Sequence, residues 1–587
     1  SGGTVSGNTG GTWTGSSGVN FNTSYAINGS GNWVSEDFTI ATTITVTNNC
    51  TGTVTIGTAP AVGLNGFGTF IQGNNTYLKL GGSSGAELTA TATGNTVEYT
   101  RNDGTAQAIK AINYYNLTLS GSGSKSLSAT TMVAGTLTTS GTVTSTNANE
   151  MATTPIGSLV VGTGTTFTVA GFNLTVTGTT SVTGTLNHSS ATGTKIYTGL
   201  VTINAAGIWT NTGNSAITFR GGITHNGTTF TSGSGVYTFN TNNQTISGST
   251  TPISISDMTV TTITLNVNDN LAVATTLTDN GVITPGAANI ISGAGTLTGT
   301  GTAQVTRTAA TPDFSSQYTI TNKTYTNLTV EYVGAGAQTV SNVGYGHLKI
   351  NMAGQVASLA AITTVSGNLT ITAGTLDIST FTANRTSGGG TLTLSNGATL
   401  TIGGTNGLPT NYTTHSIGST STVIYNGTTQ TVTVPNSAQN YGNLTINGSG
   451  TASLGGTIGV AGDLSISSGT LDLLTYTANR TSGGGTLTLS NGAALKIAGT
   501  NGLPTNYTAH SIGATSTVTY NGSTQTVTVP NSAQNYGNLT INGSGTASLG
   551  GTIGVAGNLT ITSGNLDTVS GQSYGLSIGG NWSNSSV

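Results

Sequence analysis

The chain has 587 residues, and its 12 basic and 15 acidic side chains leave a formal net charge of −3. So few basic side chains exclude the positively charged surface of a nucleic-acid-binding protein. No apolar run approaches the ~20 residues of a membrane-spanning helix. Cys50 is the only cysteine, which excludes an intramolecular disulfide; we expect a buried small residue, with an intermolecular bridge as the alternative.

Residues 1–85 are predicted to form a variant N-terminal β segment that serves as a cap or a junction. The segment contains Trp13 and Trp33 in strand-like Gly-Thr-Trp and Gly-Asn-Trp runs. It lacks the signature that recurs in the rest of the chain. No signal peptide opens the chain at Ser1, so we expect a mature, processed polypeptide.

From residue 86 onwards, a signature recurs that consists of an aromatic strand, a Gln turn and a Leu-Thr-Ile-like strand. Its five copies begin at Val97, Tyr237, Val330, Val423 and Val518. The copies indicate one continuous repeat architecture, in which residues 86–368 form degenerate coils.

Residues 369–463 return almost letter for letter at 464–558, and residues 559–587 begin a further unit. The opening Gly-Asn-Trp around Trp582 starts another coil, so we expect the natural chain to continue beyond Val587. Within the unit, strand-like cores are separated by steps of 23, 31, 21 and 20 residues; they start at Leu369, Leu392, Val423 and Leu444, and the next unit opens at Leu464.

The cores alternate an apolar residue with Thr or Ser, which is the period-2 pattern of a strand with one buried face. Clusters of Gly and Asn between them supply the positive backbone angles of tight turns. The 31-residue step is predicted to carry an extra loop, Gly403 to Thr420. This candidate contact loop contains Pro409, Tyr412 and His415, and the second unit repeats them as Pro504, Tyr507 and His510.

These patterns predict an all-β chain folded as a β-solenoid, an elongated rod whose coils of about 20 to 23 residues stack in parallel. The competing architecture is a row of immunoglobulin-like sandwiches, since the 95-residue unit is close to the length of such a domain. Sandwich strands follow one another every 8 to 12 residues, and the longer steps seen here favour the solenoid.

The search for chemistry predicts no catalytic, cofactor-binding or metal-binding residue, and hence no enzyme. The five histidines show no metal-ligand spacing. Asp377, Asp472 and Asp567 recur every 95 residues; four coils apart they would stand about 19 Å from one another, too far for a pair of glycosidase carboxylates. They are interpreted as turn residues. The cluster Asn266–Asn270 is interpreted as an Asx-type turn, with a calcium site as the alternative.

Asparagine stands at fixed places before Leu-Thr, at Asn116, Asn327, Asn368, Asn443, Asn538 and Asn558. We expect hydrogen-bonded ladders or turns at these positions, with glycosylation of the Asn-x-Thr sequence as the alternative. The regular Thr of the cores suits solvent-facing strand positions, and ice binding by a Thr array is a remote alternative.

The runs Gly367-Asn368-Leu369-Thr370-Ile371-Thr372-Ala373-Gly374-Thr375-Leu376-Asp377 and Gly580-Asn581-Trp582-Ser583-Asn584 resemble the repeats of large secreted bacterial surface proteins. That group includes filamentous-haemagglutinin-like and autotransporter-like adhesins and related β-strand-repeat proteins. The resemblance covers roughly residues 86–587. It implies a right-handed parallel β-helix outside the cell that serves adhesion, matrix or filament formation, and it implies no catalytic residues.

The functional hypothesis is an extracellular structural protein that assembles head to tail with copies of itself into a cell-surface or matrix fibre. Trp13, Trp33 and Trp582 are the candidate assembly junction, because buried indoles could anchor strand addition between subunits. The main alternative is a single-rod adhesin that binds surface glycans through the candidate contact loop. A carbohydrate-active β-helix enzyme is less favoured.

Overall fold

The structure is a computed structural model that describes residues 3–8, 12–15, 17–57, 63–128, 131–148, 150–249 and 252–586. The expectations about Ser1 and Val587 lie outside these residues. Strands make up 53% of the chain and helix 1%, and the strands stack in parallel coils. The all-β solenoid prediction is therefore confirmed, and the sandwich alternative is wrong. Within the described ranges, no helix has the length and apolar character needed to cross a membrane.

The chain divides into two units, one of residues 1–301 with 318–324, the other of residues 302–317 with 325–587. In the first unit, the longest sheet pairs each strand with its equivalent in the next coil. Its strands are Thr12–Gly15, Asn32–Ser35, Thr53–Ile56, Tyr77–Leu80, Thr96–Tyr99, Asn116–Leu119, Thr136–Thr139, Ser158–Val161, Thr180–Val182, Val201–Ile203, Ile223–His225, Gln244–Gly248, Thr264–Val267 and Val282–Pro285.

Shorter parallel sheets form the other sides of the coils in this unit. One side contains Gly3–Asn8, Tyr25–Gly29, Thr45–Asn48, Thr69–Gln72, Glu87–Thr89, Asn113–Tyr114, Met132–Val133, Met151–Ile156, Leu174–Val176, Lys195–Tyr197, Ile217–Phe219, Val236–Phe239, Ile253–Val260, Leu271–Asp279, Ile291–Ser292, Thr296–Gly299 and Asn322–Lys323. The remaining strands are Val19–Phe21, Phe38–Ile40, Leu64–Gly66, Ser122–Ser124, Thr142–Asn147, Thr166–Val169, Thr185–His188, Ile208–Thr210 and Thr229–Thr231.

The second unit has one four-residue helix, Phe314–Gln317. Its strands are Thr302–Val305, Thr329–Tyr332, Gln338–Val340, Gly344–Tyr345, His347–Leu359, Thr363–Val365, Leu369–Asp377, Ala383–Arg385, Gly389–Leu394, Thr399–Ile402, Tyr412–Ile417, Thr422–Tyr425, Thr429–Val432, Asn443–Leu454, Ile458–Val460, Leu464–Asp472, Ala478–Arg480, Gly484–Leu489, Ala494–Ile497, Tyr507–Ile512, Thr517–Tyr520, Thr524–Val527, Asn538–Leu549, Ile553–Val555, Leu559–Asp567, Leu576–Ile578 and Trp582–Asn584.

Each coil of the second unit has three faces. We name them first, second and third after the strands Thr329–Tyr332, Gln338–Val340 and Gly344–Tyr345 of one coil. Long strands such as His347–Leu359 bend at an irregularity and cover the first and second faces in turn. Inward apolar side chains repeat from coil to coil, about 4.8 Å apart, and form a continuous buried core.

The 95-residue repeat covers four coils and one further face. Leu369 pairs with Leu348 on the first face. Its equivalent Leu464 belongs instead to the second-face column of Leu376, Leu400, Val423 and Leu444. The next equivalent, Leu559, belongs to the third-face column of Gln430, Ala452, Leu471, Leu495, Val518 and Leu539. Successive copies of one sequence therefore face different directions.

The extra face corrects the interpretation of Gly403 to Thr420 as a loop. Tyr412–Ile417 is a strand, and its His415 pairs with Leu392 on the first face. Residues before it continue the third face, where the Arg385 amide donates to the Thr410 carbonyl at 3.0 Å. The 31-residue step from Leu392 to Val423 is thus one coil plus one face.

Candidate functional site

The side chains of the candidate contact loop lie inside the solenoid. Pro409, Tyr412 and His415 are buried, and so are Pro504, Tyr507 and His510 in the second copy. The Tyr412 hydroxyl donates to the Ala383 carbonyl at 3.1 Å, and burial raises the pKa of this tyrosine. Any contact made here would use the exposed residues beside them, such as Thr410 and Asn411.

His415 positions a second stretch of chain in the coil above. Its Nδ1 accepts the Asn436 main-chain N–H at 3.0 Å, and the Asn436 Nδ2 donates to the Tyr412 carbonyl at 2.6 Å. The second copy reproduces the first bond at 3.0 Å between His510 and Asn531. An accepting Nδ1 requires an unprotonated nitrogen, and burial lowers the pKa of both histidines. We call the held segments, residues 434–440 and 529–535, the anchored loops.

In the first anchored loop, residues 434 and 436–438 are exposed, and we call these residues and their equivalents in the second loop the tip. The backbone of the tip is strained. Val434 and Val529 are each 41% exposed. Ser437 and Ala438 adopt left-handed angles with φ of 59° and 52°, and the second copy repeats them with φ of 61° and 51°. Residues with a Cβ pay of order 1–2 kcal/mol in this conformation. Sequence reasoning missed these loops, although Pro-Asn-Ser marks a turn and the stretch is identical in both units.

In four of the five signatures, two buried tyrosines clamp the main-chain N–H and C=O of one residue. The Tyr425 hydroxyl oxygen accepts the Thr433 N–H at 3.1 Å, the Tyr441 hydroxyl donates to the Thr433 carbonyl, and the two hydroxyl oxygens lie 3.0 Å apart. The same clamp recurs as Tyr99 and Tyr114 around Lys110, Tyr332 and Tyr345 around Ser341, and Tyr520 and Tyr536 around Thr528. Burial raises the pKa of Tyr332 to about 12.

The Gln of each signature joins two turns. Gln430 Nε2 donates to the Ile402 carbonyl at 3.0 Å and to the Asn406 carbonyl at 2.9 Å, while its Oε1 accepts the Gly427 N–H at 2.6 Å. The equivalent side chains bond main-chain groups in the same manner; they are Gln107, Gln244, Gln338 and Gln525. The signature is therefore a set of buried polar bonds, which the tyrosines make within a coil and the Gln side chains make to the neighbouring coil.

The recurring asparagines bond coil to coil in a form that differs from the expected side-chain ladder. Asn443 Oδ1 accepts the Asp463 main-chain N–H at 2.9 Å, and Asp463 Oδ1 accepts the Thr486 N–H at 2.8 Å. Each side chain thus satisfies the backbone of the equivalent turn above it. The same bond is made by Asn32, Asn116, Asn173, Asn243, Asn270, Asn280, Asn368, Asn384, Asn396, Asn479, Asn491, Asn538 and Asn558.

The repeated aspartates form Asx turns, as their interpretation as turn residues anticipated. Asp377 Oδ1 accepts the Ser379 N–H at 2.8 Å, and Asp472 and Asp567 hold residues 474 and 569 in the same way. In the Asn266–Asn270 cluster, Asp269 Oδ1 accepts the Asn270 N–H at 2.7 Å. Within the described ranges, no group of three or more His, Cys, Asp or Glu residues is arranged to hold a metal ion.

The candidate junction residues differ in exposure. Trp13 is 39% exposed and packs on the buried Trp33, with ring centroids 5.2 Å apart. Trp582 is 66% exposed and pairs with Leu559 in the strand below. Cys50 is fully buried, and burial raises the pKa of its thiol.

A buried aromatic cluster in the first unit surrounds His188. Its Nε2 lies 2.7 Å from the Tyr197 hydroxyl, its Nδ1 lies 3.2 Å from the Thr210 carbonyl, and its ring packs against Trp209 with centroids 4.5 Å apart. The carbonyl can only accept, so Nδ1 carries the proton and Nε2 accepts from Tyr197. Burial lowers the pKa of His188 to about 3.

Comparison with protein families, curated proteins and solved structures finds no match to this chain.

Proposed function

We propose that this chain is a non-enzymatic structural protein of the bacterial cell exterior, whose copies associate head to tail into a surface or matrix fibre. The observation that carries the proposal is the use of the recurring polar side chains. The Gln side chains and the recurring asparagines bond one coil to the next, and the tyrosine clamps brace the main chain within a coil. Their repetition favours a protein that maintains a stiff stack over one that positions a single reactive group.

The way in which the coils are joined supports head-to-tail association. Within each unit, parallel main-chain ladders connect successive coils of the described residues, and the terminal coil of any such stack presents unpaired N–H and C=O groups. Strand addition at that edge extends the same ladder into another subunit. Trp582 and Trp13 supply exposed indole surface on the strands Trp582–Asn584 and Thr12–Gly15. The location outside the cell is supported by the resemblance of the repeats to secreted bacterial surface proteins.

Electron microscopy and light scattering of the purified chain test the proposal. We expect fibres whose length grows with protein concentration. The double variant Trp13→Ser/Trp582→Ser should give short particles with an unchanged circular dichroism spectrum. Deletion of residues 1–35 should also give short particles. Phe67→Ser is the matched control, since Phe67 is also exposed but is remote in sequence from the two tryptophans that the double variant replaces. A chain that stays monomeric at high concentration, or fibres that persist in the truncated chain, would overturn the proposal in favour of a single-rod adhesin.

A further inference from the structure

The two anchored loops occupy different faces of the second unit. The first loop lies above His415 on the first face, and the second lies above His510, which pairs with Leu487 on the second face. Four coils and one face separate them, which is about 21 Å along the stack at about 4.8 Å per coil. The same surface therefore appears twice, turned by one face of a three-faced coil.

The loop tip has the properties of a contact surface. Among the exposed large hydrophobic side chains in the described ranges, Val434 and Val529 form the one pair that the repeat relates. The tip is held before any partner arrives, by His415 from below and by its own left-handed Ser-Ala pair. Preorganisation of this kind reduces the ordering cost of binding, and non-glycine residues in left-handed conformation cluster at functional positions.

The chemistry of the tip selects the partner. Residues 434–440 read Val-Pro-Asn-Ser-Ala-Gln-Asn, with no charge and no aromatic ring. An anionic ligand would find no cation there, and a sugar would find no ring to stack on. The remaining surface of the chain is itself rich in Thr, Asn and Gly and almost free of charge, so another copy can approach without electrostatic repulsion and cover the exposed valine.

We propose that the anchored loops are lateral contact sites for further copies of this chain, and that the rotation between repeats makes the resulting assembly a cross-linked mesh. A flat ribbon requires lateral contacts that point in the same or in opposite directions. Two loops that lie on different faces of a three-faced coil point neither in the same direction nor in opposite directions. The neighbours held by the two loops therefore lie in different planes. The inference rests on the proposed structural function and specifies its partner as a second copy.

Serine substitutions of the two valines test the inference. We expect the intact chain to form a mesh in electron micrographs and to sediment as large species. Val434→Ser or Val529→Ser alone should leave unbranched lateral pairs, and the double variant should leave separate fibres or rods. Circular dichroism and thermal unfolding should stay unchanged. Val356→Ser is the matched control, because Val356 is 38% exposed in the same unit but belongs to neither loop.

The outcomes separate the inference from the proposed function. Mesh formation by the double variant, or equal loss of mesh in Val356→Ser, would overturn the lateral contact. So would binding of a neutral polysaccharide that the double variant abolishes while the intact chain shows no lateral contact. Long fibres that never branch would overturn the lateral contact but would leave the proposed head-to-tail growth in place. Meshes built from short particles would overturn head-to-tail growth and retain the lateral contact.

Discussion

Removing one hydroxyl from a tyrosine clamp should open the chain locally. In Tyr520→Phe the part-buried Thr528 N–H loses the acceptor that lies 3.1 Å away, and the Tyr536 hydroxyl loses one of its two partners, at 3.0 Å, while it keeps the Thr528 carbonyl. A buried donor without a partner costs about 1–3 kcal/mol. The opening equilibrium around Thr528 should therefore rise by roughly 5- to 150-fold, whereas unfolding of distant coils should change little because repeat units contact only their neighbours.

Hydrogen exchange with mass spectrometry can measure this effect against an internal control. The clamp of Tyr425, Tyr441 and Thr433 is left intact in the same molecule. Peptides that span 519–530 and 424–435 have different masses, because Thr519 and Ser523 replace Ile424 and Thr428. We expect exchange at Thr528 to accelerate while Thr433 keeps the rate of the intact chain. Equal rates at the two sites in the variant would refute the assignment of the clamp as a stabilising device.

Three further perturbations test the turns and the first unit. Asn443→Ala should lower stability by about 1 kcal/mol, because the Asp463 N–H loses its acceptor, while Asn443→Asp keeps it; thermal unfolding compares the two. Leu474→Gly should raise stability by about 1 kcal/mol in urea unfolding, since this 41% exposed residue has φ of 51°. Burial lowers the pKa of His188 from 6.5 to about 3, so between these values the unfolded state binds a proton that the folded state does not. The free energy of unfolding should therefore fall as the pH falls from 6.5 towards 3; the fluorescence of Trp209 follows the loss, and a flat profile contradicts it.

The sequence predicts the strands well where the inward residues are apolar. Leu369, Leu392, Val423 and Leu444 all begin or lie in observed strands. The sequence pattern did not predict the strand Tyr412–Ile417, because its inward position is filled by His415, which interrupts the alternation of apolar residues. Histidine counts as a polar residue in a search for apolar periodicity. The burial of His415 is compensated because its Nδ1 accepts a hydrogen bond from the coil above.

The candidate site shows a different limit of sequence reasoning. The spacing of the aromatic and Gln residues revealed the signature, but the meeting of the Tyr425 and Tyr441 hydroxyls depends on how two separate faces converge. The pattern of Asn before Leu-Thr likewise indicated a ladder. Its partner is a main-chain N–H one coil later, as in Asn443 and Asp463, and the side chains do not bond to one another. The sequence shows which hydrogen-bond donors and acceptors are present, whereas the stacking of the coils determines which of them pair.

The length of the repeat carries information that its sequence does not. A unit of whole coils would place Leu369, Leu464 and Leu559 in one column and every anchored loop on one face. The single step of 31 residues adds one face to four coils, so these leucines occupy three columns. Any insertion or deletion of a face-length segment would redirect all surfaces that follow it without altering their sequence. Repeat length therefore sets the direction of each copy, and the two identical anchored loops of this chain face different directions because that length is not a whole number of coils.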